Sequence, residues 1–135
     1  MTTQMRNPKA NQQLSFLNQD LKGRLFRDQD LSGTDFRYAE MQGTIFDNCI
    51  LDKSDFEGAE LGDVKFVNKC KLIEAQFINA DMYNVEIDNT CEISKINLTK
   101  ACIIGLILPN KIGSIVDNTE CVAQELGIDP IPRYI

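Results

Sequence analysis

The sequence predicts an all-β solenoid of square cross-section, in which short parallel strands stack coil upon coil. Three observations lead to this fold class. A large apolar residue recurs at every fifth position, a longer period of 20 to 21 residues is superimposed on it, and small residues recur two positions before the large ones. An α-helix has about 3.6 residues per turn and a strand alternates every two, so neither produces a period of five.

The five-residue period starts at Phe16 and is interrupted twice, once between Phe66 and Leu72 and once between Ile87 and Ile93. Each interruption inserts one extra residue, and the two lie 21 residues apart. They therefore fall at the same corner of successive coils, as β-bulges would. Four units of five residues make one coil, and residues one coil apart stack above one another.

Small residues form columns two positions before the large ones. The columns are Ala39, Ala59, Ala80 and Ala101; Cys49, Cys70 and Cys91; and Thr34, Ser54 and Ala75. Positions two apart in an extended segment point to the same face, so the large and the small residues both point inward. A narrow interior filled by four large side chains per coil has room only for small ones beside them. The phenylalanines are expected on two opposite sides of the coil.

The segments TDFRY, AEMQG, SDFEG, AELGD, AQFIN and ADMYN resemble the pentapeptide-repeat family, whose usual motif is a small residue, Asp or Asn, Leu or Phe, and two variable positions. The resemblance implies a right-handed quadrilateral parallel β-helix of about four to five coils over residues 14–109. It also implies a bacterial protein. Departures at the small position predict local widening; they are Arg24, Gln29, Val64, Val85 and Ile96.

The flanks of the repeats are expected to cover the two open ends of the stack. Residues 1–13 are predicted to be a flexible flank or lid, and residues 110–135 a capping helix and tail. The helix would start at Asp117 and end at Gly127, because Asp is a good N-cap residue and Gly a common C-terminal stop.

Ile104 and Ile107 occupy outward positions of the last coil, which predicts that they are covered. Either Val122 and Leu126 of the capping helix cover them, or a second subunit does. The resemblance implies that family members often form homodimers through this end. The sequence leaves both possibilities open.

The composition is that of one soluble domain, with 43% apolar and 25% charged residues in a chain of 135. The first residues do not resemble a secretory signal, and the longest apolar run, residues 101–108, is too short to span a membrane. A cytoplasmic location is expected. Residues 28–63 carry ten acidic and two basic side chains, which disfavours direct binding to nucleic acid or to a membrane surface.

The residue types that usually carry catalysis are scarce. The chain has no histidine, no Gly-rich phosphate loop and no nucleophile-elbow motif, so we expect neither an enzyme nor a cofactor. The stacked cysteines are predicted to be small core residues in a reducing compartment, because parallel inward side chains are poorly oriented for disulfide bonds. No metal site is expected without a second group of ligands.

The first functional hypothesis is a noncatalytic protein-interaction or scaffold module with an unknown partner. Its best sequence feature is a belt of outward apolar residues on one coil, namely Val67, Ile73, Ile78 and Tyr83. The alternative for this belt is that its side chains are half-buried at the corners and contact no partner.

The second hypothesis is an acidic DNA mimic, because the resemblance extends to family members that bind DNA gyrase or topoisomerase and confer quinolone resistance. The candidate surface consists of two stacked columns of carboxylates: Asp35 and Asp55, and Glu40, Glu60 and Asp81. Four to five coils extend only about 20 to 24 Å, which equals about seven base pairs. Basic residues also dilute the acidity of the second half of the chain.

Overall fold

The computed structural model describes residues 14–109, together with the backbone of two short strands at 116–117 and 133–134. The described residues form an all-β parallel solenoid of about four turns, as the repeat predicts. No helix occurs in this part of the chain. The flank 1–13 and the helix predicted to follow Asp117 lie outside the described residues.

The strands are short because each side of the coil is only five residues long. Those in the described residues are, in chain order, β1 Leu25–Arg27, β2 Ile45–Asp47, β3 Lys65–Val67, β4 Lys71–Ile73, β5 Asp81–Tyr83, β6 Glu86–Ile87, β7 Glu92–Ser94, β8 Ile96–Asn97, β9 Cys102–Ile104, β10 Ile107–Leu108, β11 Val116–Asp117 and β12 Arg133–Tyr134.

All strand pairs are parallel, and each residue pairs with the equivalent residue of the next coil. The largest sheet has the order β1-β2-β3-β6-β10-β12, and three further sheets pair β4 with β7, β5 with β9 and β8 with β11. Isolated parallel bridges continue the ladders where the segments are shorter, as between Asp35 and Asp55. The register Phe46↔Phe66 and the bridge Ile50↔Lys71 reproduce the two spacings of 20 and 21 residues.

Each coil has four sides, which we name A to D by their inward large residues. Side A holds Phe16, Phe36, Phe56, Phe77 and Leu98; side B holds Leu21, Met41, Leu61, Met82 and Ile103; side C holds Phe26, Phe46, Phe66, Ile87 and Leu108; side D holds Leu31, Leu51, Leu72 and Ile93. The first four coils are residues 14–33, 34–53, 54–74 and 75–95, and residues 96–109 begin a fifth.

Two columns of stacked phenylalanine rings on sides A and C fill the interior. Phe36 and Phe56 stack with ring centroids 4.8 Å apart, and Phe46 and Phe66 with centroids 5.1 Å apart. Across the interior the columns meet edge to face, as Phe36 and Phe46 do at 5.7 Å. Such aromatic pairs contribute about 0.5–1.5 kcal/mol beyond the burial of their area. The opposite placement of the phenylalanines predicted from the sequence is confirmed.

The small inward residues satisfy buried backbone groups as well as saving space. The Thr44 hydroxyl donates to the Leu21 carbonyl at 2.8 Å, and the Ser54 hydroxyl donates to the Leu51 carbonyl at 2.6 Å. Larger residues also fit at this position, since Val64 is fully buried there. Gln29 differs, because its side chain is 4% exposed and neither atom of its amide has a hydrogen-bond partner.

The corners require a left-handed backbone two positions after the large residue. Gly43 has a φ of +74° and Asn48 a φ of +54°, and the same conformation occurs at side chains such as Tyr38 and Lys53. Glycine and asparagine adopt this region at low cost, whereas other residues are strained there. The corner conformation therefore explains why glycine, asparagine and aspartate recur at this variable position of the repeat.

The inserted residues lie at the corner between sides C and D, as the spacing predicts. Asn68 and Lys69 both have positive φ at the first insertion. Their amides donate to the fourth coil, to the Asp88 carboxylate at 3.2 Å and to the Thr90 hydroxyl at 2.8 Å. The side chains of the next coil thus replace the ladder bonds that the extra residue disrupts.

The phenylalanine columns predict a large loss of stability when one ring is removed. We expect Phe46→Ala to lower the free energy of unfolding by about 3–5 kcal/mol, because the neighbouring coils cannot close around the cavity. Lys65→Ala, at an exposed position of the adjacent coil, should change it by no more than about 0.5 kcal/mol. Urea unfolding followed by circular dichroism measures both, and equal effects would contradict the filled core.

The left-handed backbone at the corners predicts that replacing a corner glycine lowers the free energy of unfolding, even where the new side chain has room. A Cβ added at Gly43 would have no neighbour within 4 Å, so Gly43→Ala tests the backbone alone. We expect this change to lower the free energy of unfolding by about 1–2 kcal/mol.

Gly62→Ala is the matched control, because Gly62 has no positive φ and its added Cβ would make an ordinary contact of 3.6 Å with Gln42. It should leave the free energy of unfolding unchanged or raise it by up to about 1 kcal/mol. The same urea titrations apply, and a Gly43→Ala variant as stable as Gly62→Ala would refute the corner argument.

Candidate interaction surfaces

Charge is distributed unevenly around the solenoid. Within residues 14–109, sides A and B with the corners that follow them carry eight acidic and three basic side chains. Sides C and D with their corners carry eight acidic and seven basic ones. Nearly all of the net negative charge of the described part therefore lies on two adjacent sides.

The acidic column of side B is continuous. Asp20, Glu40, Glu60 and Asp81 follow one another through parallel bridges, and Cys102 occupies the next level. Successive strands lie about 4.8 Å apart, so neighbouring carboxylates of the column are close. The sequence prediction that Glu40, Glu60 and Asp81 stack is confirmed.

The acidic column of side A is shorter. Asp35 and Asp55 are bridged, but the next two levels are Gln76 and Asn97. The Asn97 amide donates to the Gln76 side-chain carbonyl at 3.2 Å, which continues the column without charge. The acidic surface of side A is therefore confined to the second and third coils.

Several aspartates in these columns are hydrogen-bonded to the turns that follow them. Asp20 accepts from the Lys22 amide at 3.0 Å, Asp35 from the Arg37 amide at 3.0 Å, and Asp55 from the Glu57 amide at 3.0 Å. An aspartate that accepts the amide two residues later stabilises a tight turn. These carboxylates therefore have a structural role, and their presence alone does not indicate a binding surface.

Two basic residues neutralise the lower part of the acidic surface. Lys22 lies 3.1 Å from Glu40 and 3.5 Å from Asp20. Arg37 donates to both carboxylate oxygens of Asp35 at 2.9 Å, and this hydrogen-bonded guanidinium lowers the pKa of Asp35. These ion pairs at the first two coils could not be predicted from the repeat.

The third coil has four acidic side chains and no basic one on sides A and B. Its side A and side B carboxylates are Asp55, Glu57, Glu60 and Asp63, which we call the third-coil carboxylates. None of them forms an ion pair within residues 14–109. Glu60 accepts a hydrogen bond from the neutral Gln42 amide at 2.6 Å. Of the described coils, this one therefore has the largest excess of acidic over basic side chains on sides A and B.

Asp81, at the level above, is more enclosed. Burial and the neighbouring charge of Glu60 raise the pKa of Asp81, despite a hydrogen bond with Tyr83. One of its carboxylate oxygens is buried without a hydrogen-bond partner. Glu60 and Asp81 are neighbours in the side B column, so two acidic groups lie close together on the third and fourth coils.

The apolar belt predicted from the sequence runs around the solenoid. Val67, Ile73, Ile78 and Tyr83 lie on sides C, D, A and B in turn. The first three are half-buried, and Tyr83 is 42% exposed. Because the four residues face four directions, they do not form one flat contact surface.

The candidate cap or dimer contacts are described only in part. Ile104 and Ile107 are half-buried, and Ile104 stacks above Tyr83 in the ladder of side B. Strand β12 pairs with β10, so the backbone of the C-terminal tail returns to the sheet beside Ile107. Val122 and Leu126 lie outside the described residues, and the choice between an intramolecular cap and a dimer stays a prediction.

Tyr38 is an exposed residue that the sequence analysis missed. Its ring lies against Gly58 of the next coil, where an added Cβ would approach within 2.4 Å, and it is 52% exposed. A signal for this contact exists in the sequence, because Gly58 stands one coil after an aromatic residue at a corner. Tyr38 therefore borders the third-coil carboxylates at the corner between sides A and B.

Neither a cluster of metal ligands nor a membrane-spanning helix occurs among the described residues. They contain no group of three or more His, Cys, Asp or Glu side chains able to hold a metal ion. No helix among them is long and apolar enough to cross a membrane. The thiols of Cys49, Cys70 and Cys91 are free and buried, and burial raises the pKa of Cys49 to about 12.

Known proteins resemble this chain in its repeats. Full-length QnrB1, a plasmid-mediated fluoroquinolone resistance protein, aligns with a TM-score of 0.39 and 17% identity over 72% of this chain and 62% of its own. HetL, a pentapeptide repeat protein involved in heterocyst differentiation regulation in the cyanobacterium Nostoc sp., aligns with a TM-score of 0.32 and 20% identity over 73% of this chain and 43% of its own.

This chain therefore spans less than two thirds of the length of either protein. No curated protein matches it in sequence. Residues 30–66 match the family model described as pentapeptide repeats, in eight copies. Those copies lie within the stacked four-sided coils described above, so residues 30–66 consist of pentapeptide repeats.

Proposed function

We propose that this chain is a noncatalytic protein-interaction module, whose rigid solenoid presents outward side chains to a protein partner at fixed spacing. The observation that supports this function most directly is the filled interior. The large side chains on all four sides are buried, and hydrogen bonds join each coil to the next. Because the interior is packed, the outward side chains are the part of the described coils that is available to contact a partner.

The third-coil carboxylates are the best-supported contact surface for this partner. They form no ion pair among the described residues, they lie on the two most acidic sides, and Tyr38 lies beside them. Exposed charges change association rates and partner choice more than they change affinity. An exposed tyrosine adds apolar contact area at low conformational cost.

Neutralising two carboxylates tests this surface without changing side-chain shape. We expect Glu57→Gln combined with Glu60→Gln to lose a protein partner that the unaltered chain captures from a lysate of its source organism. Glu86→Gln combined with Glu92→Gln removes the same charge from sides C and D, and this control should retain the partner. Binding of the purified partner, measured by calorimetry, establishes direct contact.

Retention of the partner by both double variants would exclude the third-coil carboxylates as the contact surface. Equal loss by both would show that net charge alone controls capture. If no protein binds the unaltered chain directly, the proposed interaction function itself is wrong. These three outcomes separate the surface from the function.

A second candidate function is the acidic DNA mimic, and the uneven distribution of charge favours it. A duplex-like surface needs negative charge along one stretch of the rod, and sides A and B provide one. The length opposes it, since coils about 4.8 Å apart extend one copy to only about seven base pairs. A homodimer through the C-terminal end would double that length.

A supercoiling titration with DNA gyrase, with and without a quinolone, tests the second candidate. If the chain mimics DNA, it changes supercoiling in a dose-dependent manner, and Glu57→Gln with Glu60→Gln weakens the effect more than the control pair on sides C and D does. Light scattering on the same preparation counts the subunits. No effect at a large excess over the enzyme would eliminate this candidate.

A further inference from the structure

Three cysteines form a column inside side D, which we call the cysteine column: Cys49, Cys70 and Cys91. Each thiol donates to a phenylalanine carbonyl of the coil below, as the Cys70 thiol does to Phe46 at 3.2 Å and the Cys91 thiol to Phe66 at 3.4 Å. The strands that follow them pair in register, Lys71 with Glu92. The column therefore holds thiols of successive coils side by side.

We propose that Cys70 and Cys91 are an oxidant-sensitive pair, which peroxide converts into a disulfide that links the third and fourth coils. The two cysteines are adjacent across the ladder, where the Glu92 amide donates to the Cys70 carbonyl at 2.9 Å. Neighbouring strands are about 4.8 Å apart, which lies within the Cα separation of about 4.4–6.8 Å seen in disulfides.

The chemistry proceeds in two balanced steps. The Cys91 thiol reacts with hydrogen peroxide, which gives a sulfenic acid at Cys91 and releases one water. The Cys70 sulfur then attacks the Cys91 sulfur, the sulfur–oxygen bond breaks, and the hydroxyl leaves as water with the Cys70 proton. The two thiols are oxidised, the peroxide is reduced, and a thiol reductant reverses the bridge.

Access to solvent selects Cys91 as the residue that reacts first. Its side chain is 7% exposed, whereas Cys70 is fully buried and Cys49 is 1% exposed. Cys102 is half-buried on side B, which places it outside the column. Cys91 is therefore the most accessible cysteine of the column, and Cys70 is its neighbour in the coil below.

The same surroundings keep the pair reduced until an oxidant is present. The Cys91 thiol lies 3.4 Å from an Asp88 carboxylate oxygen, and its contact with Cys70, its burial and the negative charge of Asp88 raise its pKa. A thiol with a raised pKa is a weak nucleophile and reacts slowly. Parallel inward side chains are also poorly oriented for spontaneous bridging, and the thiols are free in this structure. The two side chains must therefore change orientation before the bond can close.

The disulfide would lie beside the corner between sides C and D, where the inserted residues occur. Asn68 and Lys69 lie directly before Cys70, and Asp88 and Thr90, which bind their amides, lie directly before Cys91. A covalent link beside these contacts would prevent the third and fourth coils from separating there. Oxidation would thus stiffen the solenoid, independently of which partner the outward surface binds.

Peptide mapping after oxidation of the folded, unaltered chain tests the proposal directly. The reduced protein is treated with hydrogen peroxide, its remaining thiols are alkylated, and the digest is analysed by mass spectrometry without reduction. We expect the major cross-linked product to join Cys70 to Cys91, to revert with dithiothreitol, and to shift the urea midpoint of unfolding upward. A chain that forms this link only after denaturation, or links Cys49 to Cys70 instead, would overturn the proposal.

Matched serine variants control the assignment. Cys102→Ser with Cys121→Ser removes the two cysteines outside the column and should leave the cross-link unchanged. Cys91→Ser should abolish peroxide-dependent cross-linking and the shift of the urea midpoint, with circular dichroism confirming that the variant folds. If cross-linking persists in folded Cys91→Ser, Cys91 is not the reactive residue and the proposal is wrong.

Discussion

The narrow interior is the constraint on which the rest of this structure depends. Successive coils are about 4.8 Å apart, and the Phe36 and Phe56 rings stack at 4.8 Å, so one large side chain per side occupies the full height of a coil. Little space is left for the second inward residue of the same side and level, which is small at most levels, although Val64 fits beside Phe66. The small inward position, the five-residue period and the buried thiols all follow from this limit on space.

The same constraint restricts what the outward positions are free to do. The chain must turn by about a right angle after every side, and the left-handed corner residues and the aspartates that accept turn amides make this possible. Asp35 and Asp55 accept such turn amides, so they stabilise the corners as well as carrying charge. Glu57 and Glu60 accept no turn amide among the described residues, so turn formation does not explain the negative charge at these two positions.

The inward part of the structure follows from the sequence because it repeats. Every coil faces the same packing problem, so the positions of Phe46, Ala59 and Cys70 can be inferred from their equivalents in other coils. The outward ion pairs do not repeat, because each depends on which charged side chains are neighbours at that level. Lys22 forms an ion pair with Glu40, and Arg37 donates two hydrogen bonds to the Asp35 carboxylate. Each of these contacts occurs once, so the repeat does not predict it.

This difference explains why the fold is evident before the function. The core repeats the same pattern of residues in every coil. A binding surface is formed where the outward residues of one coil depart from the repeat. The third coil is such a departure, because Asp55, Glu57, Glu60 and Asp63 lack the basic partners that Lys22 and Arg37 supply below them. Uncompensated charges that repel one another oppose folding slightly. Of the four, only Asp55 accepts a turn amide within the described residues. Turn formation therefore does not explain why Glu57, Glu60 and Asp63 lie together on one coil, and this supports the proposed role in binding.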